Sequence, residues 1–163
     1  MAMWGKKNNV VLFEEPFRGG FFNFSRFRKE TKIPVMLDES IITLSDLKEA
    51  ISLQSLDVLN IKLTRVGGIT KANNYVRLCQ KAGIRISVGC NEELEIGTAA
   101  IYTFAKNIKN LYGVEGFGPE RLKPYLAGQF TYRPGENNRE LFLLREFLGI
   151  WKTRLENVIL RVR

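Results

Sequence analysis

The sequence contains no histidine. That one absence removes Ser-His-Asp triads, Cys-His pairs and imidazole metal sites together. Any metal held by this chain must sit among oxygen ligands, and any general base must be lysine, glutamate, aspartate or tyrosine. Cysteine is scarce: Cys79 and Cys90 form no C-x-x-C pair, which reads as reduced thiols in a cytoplasmic chain. There is no apolar run long enough to span a bilayer and no secretory signal pattern. Acidic residues fall short of basic ones, 17 Asp and Glu against 25 Lys and Arg, for a net charge of +8. Much of the excess lies in Arg18 to Lys32 and in residues 139–163. Phosphate neutralisation on a nucleic acid is one reading of that charge. Solvated helix faces are the preferred one, because no aromatic-basic reading motif accompanies it.

What is present is a globular composition, 45% hydrophobic and 26% charged over 163 residues, enough for one domain with a real core. Reactive side chains recur at the ends of short apolar runs. Val10-Val11-Leu12-Phe13 ends in Glu14, Pro34-Val35-Met36-Leu37 in Asp38, Val58-Leu59-Asn60-Ile61 in Lys62, and Leu111-Tyr112-Gly113-Val114 in Glu115. The first two steps are each 24 residues and the last is 53, with Ile84-Arg85-Ile86-Ser87-Val88 near its midpoint. Strand, loop, helix and return loop fill such a step, so the pattern predicts a repeated βα unit. Polar residues at one phase of that repeat fall at one end of a parallel sheet, the end that holds the chemistry in a barrel of this kind.

Between these strands the pattern predicts a short helix over Phe21 to Thr31. A capping box at Thr43-Leu44-Ser45-Asp46 precedes a helix through Leu47, Ala50, Ile51 and Leu53. A break at Gly67-Gly68 is followed by a helix capped by Thr70, with a stripe of Ala72, Tyr75, Val76, Cys79 and Ala82, ended by Gly83. A further helix runs from Glu92 to Lys106. The fold class is therefore α/β, a partial (β/α) TIM-type barrel of about five βα units, where a closed barrel takes about 250 residues. The domain division is 1–126 for the barrel part and 127–163 for a linker and a basic, amphipathic helical tail. That tail would cover an open sheet edge or lie on a membrane surface, and edge cover is preferred.

Two readings stand beside most of the candidate residues. Glu14 and Asp38 are helix-start carboxylates or metal ligands; their place at strand ends favours ligation. Glu15 reads as a structural partner. Lys62 is a snorkelling surface lysine or a buried functional one. Its phase favours the second, since Val58, Asn60 and Lys62 share one strand face while Leu59, Ile61 and Leu63 share the apolar other. Asn60 would then line the interior, and Asn91 and Glu92 either touch substrate or cap a helix. Gly67-Gly68 is a plain tight turn or presents backbone N–H groups to an anion.

Taken in order, Glu14-Glu15-Pro16, Asp38-Glu39-Ser40, Asn60-Ile61-Lys62-Leu63 with Gly67-Gly68-Ile69, and Val88-Gly89-Cys90 resemble the enolase superfamily, and within it the muconate-lactonizing subgroup. The resemblance implies a Mg²⁺-dependent barrel enzyme that abstracts a proton next to a carboxylate and stabilises the resulting enediolate on the metal. It assigns Glu14 and Asp38 as two of three metal carboxylates, Lys62 as the acid/base lysine, and Glu115 as a catalytic residue. The substrate would be a small carboxylate, with Asn60 and Asn91 as candidate contacts to it. Val114-Glu115-Gly116-Phe117-Gly118-Pro119 is similar to the Thr-Glu-Leu-Phe-Gly-Pro stretch of muconate cycloisomerases. Dipeptide epimerase and o-succinylbenzoate synthase types are the alternatives; the Asp-x-Asp pair usual in the epimerase branch is absent at Glu115-Gly116-Phe117. The mandelate racemase branch is excluded by the missing histidine.

The family's first metal carboxylate, a Lys-x-Lys strand and an N-terminal capping domain have no counterpart before Glu14. The expectation is therefore a truncated or partial-gene form, weakly active or inactive alone. Either it works with the remaining half supplied by another chain, or it is a non-catalytic interaction module pairing with itself through open strand edges. Nucleic-acid and membrane partners rest on charge and the tail alone and are not favoured.

Overall fold

The computed structural model describes residues 2–91, 93 and 95–115. The expected tail over 127–163 and the segment after Glu115 lie outside these. The chain divides into two compact units, Met1–Gly89 with Ile108–Glu115, and a second that contains Cys90–Asn107. The sheet and every side chain of the site described below belong to the first.

Five strands form one parallel sheet in sequence order: β1 (Phe13–Glu14), β2 (Val35–Leu37), β3 (Val58–Lys62), β4 (Arg85–Gly89) and β5 (Leu111–Val114). All four pairings are parallel, with Glu14 opposite Met36, Leu37 opposite Leu59, Lys62 opposite Gly89 and Val88 opposite Val114. Helices stand between the strands in sequence: α1 (Ala2–Lys7) leads into β1, then come α2 (Phe21–Thr31), α3 (Leu44–Ser52), α4 (Leu63–Val66), α5 (Ile69–Ala82) and, in the second unit, α6 (Glu95–Ala105). This is the expected partial barrel.

Local chemistry explains most boundaries. Lys32 closes α2 in the left-handed conformation (φ 58°), and Pro34 then precedes β2. The capping box of α3 is formed: Thr43 accepts from the Asp46 backbone and the Asp46 carboxylate accepts from Thr43 N–H. Those backbone donors, Thr43 first, hold the Asp46 carboxyl below its ordinary value. Gly83 ends α5 at φ 72°, a conformation that suits a residue without Cβ.

Four expectations need correction. Thr70 does not cap α5; the N-cap is Gly68, so Thr70 lies in the first turn. Ala82 is exposed: it is the last residue of α5, next to the Gly83 that closes the helix. Val10, Val11 and Leu12 lie outside β1, and Val11 is 77% exposed. Among the described strands β1 stands at the edge and pairs with β2 alone, and Val10 N–H turns back to Gly5 C=O at 2.9 Å. The helix expected from Glu92 starts at Glu95.

The core lies between sheet and helices. Val35, Leu37, Leu59, Ile61, Ile86 and Val88 share one sheet face with Leu47, Ala50, Ala72 and Cys79 among the most buried residues. Burial pushes the Cys79 thiol up to about 12, so it is an inert core residue. An aromatic group fastens α2 near β1: Phe13 and Phe27 meet edge-to-face at 5.3 Å, and Phe17 stacks on Phe24 at 4.9 Å. Such pairs add about 0.5–1.5 kcal/mol beyond area burial.

Candidate active site

The other sheet face carries the polar residues. Register places Glu14 beside Met36 and Val58 beside Met36. One pleat further along, Asp38 falls beside Asn60, Asn60 beside Ser87 and Lys62 beside Gly89. Glu115 follows β5 directly and its N–H bonds Val88 C=O at 2.9 Å. Side chains two residues apart share a face, so Glu14, Asp38, Asn60, Lys62 and Glu115 line one face at the carboxyl ends of the strands. This is the convergence that the spacing predicted.

Asp38 is the hub. It is buried, at 2% exposure, and both carboxylate oxygens are engaged. Oδ2 takes the Lys62 ammonium at 2.7 Å, while Oδ1 takes the Arg65 guanidinium. Lys62 Nζ also reaches Glu39 Oε1 at 3.3 Å. Burial lowers the Lys62 pKa, as its position in the sheet implies, but the bonds and charges of Asp38 and then Glu39 outweigh it. The ammonium is thereby held above the ordinary lysine value.

Asn60 stands among the carboxylates, 1% exposed. Its Nδ2 lies 3.4 Å from both Asp38 Oδ2 and Glu115 Oε2. Gly89 makes the room: a Cβ there would fall 2.6 Å from Asn60 Oδ1. That oxygen is buried without a protein partner, a costly state that points to an acceptor facing a further group. The Glu14 carboxyl is raised above its ordinary value, first by partial burial, then by the charges of Glu115 and Asp38; the Asn60 amide offsets part of this. Glu14 as a residue is exposed, so it sits at the open edge of the cluster.

Three participants were not singled out as site residues by the spacing. Arg65 follows Lys62 by three residues, and the single turn of α4 brings it back over the strand end, where it also bonds Asn60 C=O at 3.1 Å. Glu39 and Glu15 act through the loop after β2. The only sequence signal for Arg65 is a cation one helical turn from Lys62, closed by Gly67 at φ 84°. Asn91 lies in the second unit, exposed, with its N–H donating to the Glu93 carboxylate.

A divalent cation of the magnesium type takes hard oxygen ligands. Glu14 and Asp38 offer them, and the mutual repulsion felt at Glu14 would be relieved by a cation. The residues fit in kind, while among the described residues no three such side chains converge as a ready ligand set.

Comparison with known proteins agrees with the fold. Residues 1–138 match the family described as Enolase C-terminal domain-like. The chain is 35% identical over 100 residues to an L-Ala-D/L-Glu epimerase of Francisella tularensis subsp. novicida, a match covering 60% of this chain and 28% of the relative. It is 33% identical over 115 residues to muconate cycloisomerase 1 of Rhodococcus opacus, covering 69% and 31%. Among solved structures it resembles the dipeptide epimerase of Enterococcus faecalis V583 complexed with Mg and the dipeptide L-Leu-L-Tyr. There the TM-score is 0.66 at 29% identity, over 69% of this chain and 33% of that one. The chain thus spans about three-tenths of the length of these relatives. No helix among the described residues is long and apolar enough to cross a membrane.

Proposed function

Because this chain belongs to the enolase C-terminal domain-like family, we propose that it forms one wall of an active site that moves a proton at the carbon next to a carboxylate, in the manner of muconate cycloisomerase. Lys62 is the acid/base, and Glu14 and Asp38 are two oxygen ligands for Mg²⁺. When bound, the cation supplies positive charge opposite a substrate carboxylate. The observation that carries this reading is the 2.7 Å pair between Lys62 Nζ and Asp38 Oδ2 at the strand ends, with Glu14 and Glu115 around the same buried amide.

The chain's own residues divide the work. Lys62 holds a proton at Nζ and, once neutral, receives one from substrate carbon; general acid–base catalysis of this kind contributes roughly 10²–10⁴-fold. Glu39, 69% exposed and 3.3 Å from Nζ, offers that proton a route to solvent. Arg65 shares Asp38 with Lys62 and keeps the buried carboxylate from facing one cation alone. Asn60 orients Asp38 and Glu115. The whole reaction draws on elements of the relatives' remaining length, supplied in the same chain or by another.

Epimerisation of a dipeptide or an acylated amino acid is the second reading, favoured by the epimerase relative at 35% identity. Both readings need the same proton step and differ in the substrate body.

Calorimetric titration of Mg²⁺ into the full chain, against Asp38→Asn, tests the ligands; identical heats would remove them. Deuterium exchange at the α-carbon of 2-substituted carboxylates, run with a dipeptide in parallel, tests the chemistry. Exchange that survives Lys62→Ala would exclude Lys62 as the base.

A further inference from the structure

We infer that Glu15 is a positioning residue whose carboxylate holds the loop after β2 so that Asp38 presents its oxygens to a divalent cation; this rests on the reading of Asp38 as a ligand given above. Where β2 ends, the backbone ladder ends with it, and the N–H groups of Asp38 and Ser40 need another acceptor. Glu15 Oε1 accepts both, at 2.9 and 2.8 Å. A charged acceptor makes such bonds shorter and stronger than a neutral one.

The placement is built by the sheet. Glu15 N–H bonds Met36 C=O at 3.0 Å, which locks it to β2 one step past the end of β1. Its φ of 33° lies in the left-handed region, where a residue with a long side chain seldom sits. Strain of this kind persists only where surrounding contacts over-determine it. The turn is completed by Ile41 N–H on Asp38 C=O at 3.1 Å. Between the two pinned N–H groups lies Glu39, the second carboxylate on Lys62. One oxygen of Glu15 therefore sets the segment that carries both anionic partners of Lys62, although no contact joins Glu15 to Lys62 itself among the described bonds.

Side-chain length and chemistry make the idea separable. Glutamine keeps the reach and an acceptor oxygen. Alanine has no acceptor, and aspartate is one methylene too short to serve both donors. The experiment titrates Mg²⁺ alone into the full chain and its variants by calorimetry, with amide hydrogen exchange read at Asp38 and Ser40. Asp57→Ala, at the opposite end of the sheet, serves as the variant destabilised without touching the loop. The expected result is an affinity loss of about tenfold or more in Glu15→Ala, the range seen when a partner behind a metal ligand is removed. Exchange should quicken at both amides, Glu15→Gln should stay within about threefold of the parent, and Asp57→Ala should bind as the parent does. If Glu15→Ala does not fold, Glu15→Asp is read in its place with the same expectation.

Unchanged affinity in Glu15→Ala overturns the inference and leaves the proposed function standing. Equal losses in Glu15→Ala, Glu15→Gln and Asp57→Ala overturn it as well, by reducing it to general stability. No Mg²⁺ heat from the parent chain overturns the proposed function, and this inference with it.

Discussion

The two rims of the sheet use the same chemical groups to opposite ends. At the amino rim, Arg28 makes a two-pronged pair with Asp57, Asp57 Oδ2 also accepts Val35 N–H at 3.0 Å, and Arg28 donates to Gln54 C=O at 3.0 Å. In this pair one cation meets one anion and the spare bonds go to backbone partners, while Asn110 Oδ1, just ahead of β5, is buried without one. The pairing raises the Arg28 pKa, chiefly through its hydrogen bonds to Asp57. At the carboxyl rim, Glu14, Asp38, Glu39 and Glu115 act on one another around Lys62 and Arg65. Negative charge is in surplus and a buried acceptor goes unmet. A matched rim stabilises; a mismatched rim is poised to bind. In barrels of this architecture the same division separates the stabilising end from the reactive end.

The largest effect expected from breaking this contrast is catalytic. Lys62→Ala should lower α-proton exchange by about 10²-fold or more, read by mass spectrometry of the recovered substrate. Asp57→Ala should leave exchange per folded molecule unchanged but lower unfolding free energy by about 2 kcal/mol in urea titration, since it strands a partly buried guanidinium and a backbone donor. Glu14→Gln should move stability the other way, raising the thermal midpoint by roughly 1–2 °C while weakening Mg²⁺ binding, because it removes repulsion at an exposed, screened site. A carboxylate whose removal stabilises the fold is one retained for another purpose.

The smallest effects are in pH dependence, and their signs differ. The folded pKa of Glu14 lies above the ordinary 4.5. In the window from 4.5 up to that folded value the native chain binds more protons than the unfolded one, so this group's contribution falls as pH rises. Lys62 is raised above 10.5; its stabilisation is complete below 10.5 and is lost as pH climbs through the folded pKa. Denaturant titrations across both windows should show both slopes in the parent, and Glu14→Gln and Lys62→Met should each erase one.

Much of the fold was legible because its signals are local. The apolar runs before Asp38, Lys62 and Glu115 marked strand ends, and alternation put Asn60 and Lys62 on the face away from the helices. The α3 capping box and the glycine that ends α5 were equally plain. Val10 to Leu12 misled because an apolar run becomes strand only where a neighbour offers a ladder, and among the described strands β1 has one neighbour. Arg65 stayed hidden because its role depends on how a four-residue helix turns after β3.

The order of residues alone determined the repeat, the parallel sheet and which side chains stand at its carboxyl rim, since each follows from periodicity along the chain. Only the tertiary structure decided the state of those side chains. Lys62 is held charged because Asp38 and Glu39 arrive beside it from another strand. Glu14 is pushed toward its neutral form first by partial burial and then because Glu115, 101 residues away in sequence, comes to the same rim. Electrostatic energy depends on distance in space, and that distance is set by the fold.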